Sequence, residues 1–189
     1  MFCGCLSCQS MRLGHESGKP SSGYKEIIVF TCMLWNEVDF TKLHIELGRA
    51  GRRKFTYDGK PFRFQIPESR CVWGLSEYKS LSLEMDDDFV TWWGELEEYL
   101  EYPDPFMSSI RDGVLRVKID EYSQIFNSNR ELDVQERAEG DFQGCSVKCI
   151  MEVSGMYYFN GTYGLTCRIY QMLYVKLDEC AFILPDPAS

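Results

Sequence analysis

Apolar positions along this chain recur mostly with a period of two. Residues 114–119 alternate cleanly, with Leu115, Val117 and Ile119 on one side and Val114, Arg116 and Lys118 on the other. That alternation predicts a strand with one buried face. A longer strand is expected from about Tyr163 to Lys176. Its first face would carry Leu165, Cys167, Ile169, Gln171, Leu173 and Val175, and its second Thr166, Arg168, Tyr170, Met172, Tyr174 and Lys176. Ahead of it, residues 146–153 and 156–159 read as strand pieces parted by a turn near Ser154-Gly155, and Asn160-Gly161 supplies a hairpin turn. Ile27, Ile28, Val29 and Phe30 predict an earlier strand, and residues 82–85 a short one. Residues 39–51 fit either a strand or a short helix before a loop, and residues 127–144 read as a polar loop.

The sharpest local signal is Asp58-Gly59, flanked by residues 54–57 and 60–66. Asp-Gly accepts the positive φ values of a two-residue hairpin turn. The register pairs Phe55 with Phe62 and Lys54 with Arg63. One face then carries Phe55, Tyr57, Phe62, Phe64 and Ile66, and the other Arg52, Lys54, Thr56, Arg63 and Gln65. Pro61 has no amide to donate, so its strand belongs at an edge or begins there.

One segment has the helical period. Phe89, Trp92, Trp93, Leu96, Tyr99 and Leu100 share a helical face, preceded by Asp86, Asp87 and Asp88 and stopped by Pro103 and Pro105. The aspartates suit the positive end of the helix dipole and read as a solvated cap. The paired tryptophans read as core. The expected class is therefore mostly β with one main helix.

Composition narrows the function classes. Of 189 residues, 44% are hydrophobic and 26% charged, which is ordinary for a folded globular domain and excludes wholesale disorder. No apolar stretch reaches the ~20 residues of a membrane helix, so no membrane partner is expected. The net charge of −9 excludes a globally cationic, histone-like DNA binder but leaves room for a local basic groove. Nine cysteines, an odd number, without a basic and apolar secretory start predict free thiols in a reducing, intracellular compartment.

Residues 1–23 hold four glycines, five serines and Cys3, Cys5 and Cys8, and are expected to form a flexible tail. Those cysteines with His15 could hold zinc, but their spacing matches no common zinc module, so no metal site or cofactor is assigned. The folded domain is expected over 24–177, with a second tail at 178–189. Cys32, Cys71, Cys145, Cys149, Cys167 and Cys180 read chiefly as small core hydrophobes.

Catalytic constellations are poor. There are two histidines, and neither a nucleophile elbow, a metalloprotease helix, a phosphate loop nor a dinucleotide fingerprint appears. The expectation is a protein that is not an enzyme. Charge is strongly segregated instead. Residues 42–79 hold nine cations and four acids, whereas residues 84–104 hold nine acids and no cation. Tyr57, Phe62, Phe64 and Trp73 interleave with the basic part. Cations that track phosphates beside aromatics that stack bases are what sequence-tolerant single-strand binders use. Composition alone favours the other reading, in which the same aromatics are barrel core and the cations only solubilise an edge.

The later part of the chain carries a further pattern. It runs Tyr122-Ser123-Gln124-Ile125-Phe126-Asn127, then residues 147–159 ending Gly155-Met156-Tyr157-Tyr158-Phe159, then Tyr163-Gly164-Leu165-Thr166 and on to Gln171-Met172. With the 114–119 strand and the Phe62-Arg63-Phe64-Gln65-Ile66-Pro67 arm ahead of it, this order resembles the OB-fold single-stranded DNA-binding proteins of large double-stranded DNA viruses and related phages. The resemblance spans roughly residues 55–175. It implies a β-barrel, an OB-fold-like Greek key with extra strands, binding single-stranded DNA across a sheet face in replication, recombination or repair. It also implies a host cytoplasmic or nuclear setting. Family members often recruit replication proteins through an acidic C-terminal tail, whereas residues 178–189 hold only three acids.

On this reading Arg52, Lys54, Arg63, Arg116, Lys118, Lys148, Arg168 and Lys176 would contact phosphates, and Tyr57, Trp73, Tyr158 and Tyr170 would stack on bases. The alternative is a β-barrel protein-interaction module that uses the acidic segment 84–104. A small enzyme is the weakest alternative, which a bound metal with a chelation-sensitive hydrolytic activity would support.

Overall fold

The structure is a computed structural model that describes residues 32–48, 52–102, 105–134 and 140–176. The strand expected around Ile27, the tails, Cys3, Cys5, Cys8, His15 and Cys180 lie outside the described residues. In chain order the elements are β1 (Leu43–Leu47), β2 (Arg53–Tyr57), β3 (Lys60–Pro61), β4 (Arg63–Gln65), β5 (Ser69–Trp73) and β6 (Ser80–Glu84). Then follow α1 (Asp87–Tyr99), β7 (Phe106–Met107), β8 (Ile110–Arg111), β9 (Val114–Lys118), β10 (Gln124–Phe126), β11 (Ser146–Phe159) and β12 (Thr162–Val175). Two 3-10 turns, Trp35–Glu37 and Phe40–Lys42, precede β1.

Five of these strands close a ring. β5 pairs with β6, β6 with β9, β9 with β12, β12 with β11, and β11 returns to β5. All pairings in the ring are antiparallel except β9 with β12. Numbered within the ring, the order is 1-2-3-5-4-1, an OB-fold-like Greek-key barrel. β1 to β4 form an arm laid on β11, and β7, β8 and β10 extend the ends. Among the described residues no helix is long and apolar enough to cross a membrane.

Strand alternation fills the barrel. Leu81, Leu83, Leu115, Val117, Val147, Cys149, Met151, Val153, Cys167 and Ile169 all point inward and are buried. The buried cysteines Cys71, Cys145, Cys149 and Cys167 behave as core residues. Burial raises the Cys71 thiol to about 11 and the Cys167 thiol to about 12, so both stay neutral and unreactive.

α1 forms where the 3.6-residue pattern places it. Asp86 accepts a hydrogen bond from the Phe89 amide (2.7 Å) as N-cap, and Asp87 and Asp88 occupy the first turn. Phe89, Trp92, Trp93 and Leu96 are buried. Trp92 meets Trp35, Phe40 and Phe64 with ring centroids 5.2–5.9 Å apart. Tyr99 stays exposed, with its ring 5.3 Å from that of Phe40. The helix ends without a basic residue in its last turn. The Arg53 guanidinium supplies that charge, donating to the carbonyls of Leu100 (3.2 Å) and Glu101 (3.3 Å).

Three expectations need correction. The Asp58-Gly59 turn forms with positive φ at both residues, and Thr56 pairs with Pro61 as the register requires. The two further pairs, Phe55 with Phe62 and Lys54 with Arg63, do not form. The chain leaves the hairpin at Phe62, and β4 pairs with β11 instead, Arg63 opposite Glu152. Secondly, Ser154-Gly155 is no turn. β11 runs unbroken from Ser146 to Phe159, and Ser154 is the extra residue of a bulge, between the pairs Val153–Cys167 and Gly155–Thr166. Thirdly, the faces of β12 swap at Tyr170, which is a second bulge between the pairs Met151–Ile169 and Ile150–Gln171. A one-residue slip reverses side-chain parity, so Met172 and Tyr174 turn inward and Gln171, Leu173 and Val175 outward.

Candidate nucleic-acid interface

The registers bring four charged residues into a row across the outer face of the barrel. Lys118 on β9 pairs with Arg168 on β12, Arg168 with Glu152 on β11, and Glu152 with Arg63 on β4. Glu152 is 6% exposed, yet it faces away from the barrel interior. The two arginines cover it. Arg63 Nε donates to Glu152 Oε2 at 2.6 Å, while Arg168 Nε and Nη2 donate to Oε1 at 3.1 and 2.9 Å. Arg168 Nη1 reaches Asp120 Oδ2 at 2.8 Å. Partial burial pushes the Asp120 carboxyl up, but hydrogen bonds from Arg168, the Tyr122 amide and Ser123, together with the Arg168 charge, outweigh it and hold the group below the usual carboxylate range. The Arg63 guanidinium carbon also lies 3.6 Å from the centre of the Tyr170 ring.

Beside this row runs a groove of about 450 Å³ between β2 and the outer face of β11 and β12. Arg52, Arg53, Lys54, Lys118, Ser154, Gly155, Met156, Tyr157 and Thr166 line it together with Gly48. Its shape follows from the backbone. β2 crosses β11 at the pairs Gly155–Lys54 and Met156–Arg53, directly after the Ser154 bulge. A Cβ at Gly155 would collide with the Arg53 carbonyl, so only glycine admits this crossing. Arg116 continues the basic surface away from the groove. It stands opposite Ser82, which is opposite Trp73, so cation and indole belong to one cross-strand row over β9, β6 and β5.

Aromatic surface is concentrated at the β11–β12 tip. Asn160-Gly161 makes the turn with positive φ at both positions. Tyr157 lies across Gly164, where an added Cβ would stand 2.6 Å from its hydroxyl. Tyr158 contacts Tyr163 with centroids 4.7 Å apart and stays exposed, as does Phe159 at 67%.

The structure sorts the sequence-chosen residues into three groups. Arg52, Lys54, Arg116 and Lys118 are exposed and, among the described residues, form no salt bridge. Trp73, 63% exposed, and Tyr158 belong with them as accessible aromatics. Arg63, Arg168 and Lys148 are in ion pairs, the last with Glu68 at 3.2 Å. Tyr170 lies under Arg63, and Lys176 near the Tyr174 ring on the far half of β12. Tyr57 is a packing residue: it stacks on Phe62, and its hydroxyl accepts from the Asp39 amide at 3.1 Å. Sequence reasoning missed Glu152, which balances two of the chosen arginines. It also missed Tyr157 and Phe159, although their place beside an Asn-Gly turn was legible. Among the described residues no cluster of His, Cys, Asp and Glu could hold a metal ion.

No family model matches the chain, and neither does any curated relative. Among solved structures, the chain is similar to the single-stranded DNA-binding protein from bacteriophage Enc34 in three forms. For a C-terminal truncation the TM-score is 0.48 at 17% identity, over 74% of this chain and 98% of that one. For the protein alone the TM-score is 0.49 at 18% identity, over 73% and 92%. For its complex with ssDNA the TM-score is 0.49 at 17% identity, over 73% and 97%.

Proposed function

We propose that this chain binds single-stranded DNA without catalysing a reaction on it, in support of replication, recombination or repair. One observation carries the reading. Among the described residues, Arg52, Lys54 and Lys118 line a single groove and form no salt bridge, and Arg116 extends the same surface toward the exposed Trp73. Lysines and arginines of this kind neutralise phosphates and release counterions. Trp73, Tyr158 and Phe159 offer accessible rings, and base faces are available to stack only when the strand is single. The overall charge of −9 does not oppose this, because the acids are concentrated elsewhere in sequence, in the 84–104 segment.

The fluorescence of Trp73 supplies a test. Trp92 and Trp93 are buried and Trp35 is half-buried against Phe89 and Trp92, so quenching on addition of poly(dT) should come mainly from Trp73 and fall sharply in Trp73→Phe. Unchanged fluorescence together with no retention on single-stranded DNA would overturn the reading. The protein-interaction alternative would then lead, supported by Asp87, Asp88, Glu95 and Glu98, which are exposed on α1.

A further inference from the structure

We infer that Arg63 serves as a base-stacking plane, with Tyr170 as its support, and not as a phosphate contact. The inference rests on the single-strand reading above and assigns a role within that surface. The charge of Arg63 is already compensated. Its Nε is 2.6 Å from Glu152 Oε2, and Glu152 is buried in a central strand where it cannot yield to an incoming phosphate without losing Arg168 as well. Arg168 is committed in the same way, to Glu152 and Asp120.

What Arg63 still offers is its flat face. The side chain keeps 31% of its exposure. Its guanidinium carbon lies 3.6 Å above the Tyr170 ring, a stacking distance, and the Nε hydrogen bond fixes its orientation. Tyr170 is available because it is the bulged residue of β12, on the outer surface beside Arg168. A planar cation resting on an aromatic ring and held by a carboxylate is a pre-oriented surface for an unstacked nucleobase. Arg guanidinium planes and aromatic rings are the two surfaces on which splayed bases stack. The row Lys118–Arg168–Glu152–Arg63 runs from the groove cation Lys118 to this plane, so a strand lying in the groove could reach it.

The test compares Arg63→Lys with the unaltered protein on two oligonucleotides of equal length, poly(dT) and the same strand with abasic sites throughout. Lysine keeps the charge and an ion pair to Glu152 but has no plane. The expected result is about a tenfold loss on poly(dT), the scale of one stacked base. The salt slope should stay the same, and the abasic strand should show no loss. Tyr170→Leu removes the support, leaves the ion pairs in place, and should give the same pattern should the lysine variant fold poorly. Equal losses on both strands, or no loss on either, would overturn the stacking role while leaving the binding function intact. Failure of the unaltered protein to bind poly(dT) at all would overturn both.

Discussion

Gly155 and the carbonyl of Arg53 touch where the arm crosses the barrel, and no side chain fits between them. This contact places Lys54 and Arg52 along the groove, and through Arg53 it ties the arm to the C-terminus of α1. Gly155→Ala should force β2 away from β11 and cost roughly 1–3 kcal/mol, the usual range for overpacking. Urea denaturation would measure that loss. DNA affinity should fall with it, because Lys54 lies on the displaced strand and Arg52 directly precedes it. An alanine variant of unchanged stability would mean that the crossing is looser than described.

Lys118 and Arg116 are exposed residues of β9 whose partners across the strand are not acids. Replacing either with alanine should change stability by less than about 0.5 kcal/mol. Each replacement should weaken single-strand binding and reduce the salt slope by about 0.7 per phosphate lost. The readout is a salt titration of affinity for each variant. A slope that stays the same in both would remove β9 from the interface.

Glu152 is expected to respond in the opposite sense. Glu152→Gln leaves Arg63 and Arg168 without their shared carboxylate. Folding should lose roughly 1–3 kcal/mol, the cost of leaving charged hydrogen-bonding groups without a partner, since both arginines keep some contact with solvent. The freed charges should also steepen the salt slope of DNA binding. Paired denaturation and salt titrations would show less stable folding with more salt-sensitive binding. A fall in both quantities would mean that Glu152 supports the interface chiefly by holding its shape.

Glu97 provides a pH test remote from the groove. Burial raises its carboxyl above the ordinary value, although Ser108 (2.8 Å) and Trp93 Nε1 (2.6 Å) both donate to its Oε1. A carboxyl raised on folding stabilises the fold below its unfolded pKa of about 4.3. That contribution fades as the pH rises through the higher folded value. Glutamine can accept both hydrogen bonds through its own Oε1 and carries no charge. Glu97→Gln should therefore match the unaltered protein near pH 4 and equal or exceed its stability at pH 7. Melting temperatures at the two pH values decide the point, and a variant that is less stable at pH 7 would show the buried charge to be favourable.

Much of this architecture was legible because the local signals agreed with one another. The 114–119 alternation, the Asp-Gly and Asn-Gly turns, and the aspartate-capped aromatic helix each appear where the pattern places them. Bulges were not legible. Ser154 and Tyr170 each add one residue to a strand, and nothing local distinguishes such a residue from its neighbours. The glycine beside Ser154 suggested a turn, whereas its cause is a backbone crossing from a segment 100 residues earlier. For the same reason the site was only half legible. Alternation put Arg63 and Arg168 on a basic outer face, but pairing with Glu152 depends on two registers that no periodicity states. The exposure of Arg52, Lys54, Arg116 and Lys118 was legible from alternation alone.

The most direct test of the account is the affinity for a labelled poly(dT) of ~30 nucleotides, longer than the ~4–16-nucleotide footprint of one OB-fold. Anisotropy would be read at two salt concentrations, with a duplex of equal length as control. The account predicts binding to the single strand in preference to the duplex, with a log–log salt slope of roughly −3 if Arg52, Lys54, Arg116 and Lys118 each neutralise one phosphate. Absence of binding at low salt, or equal affinity for duplex, would contradict it.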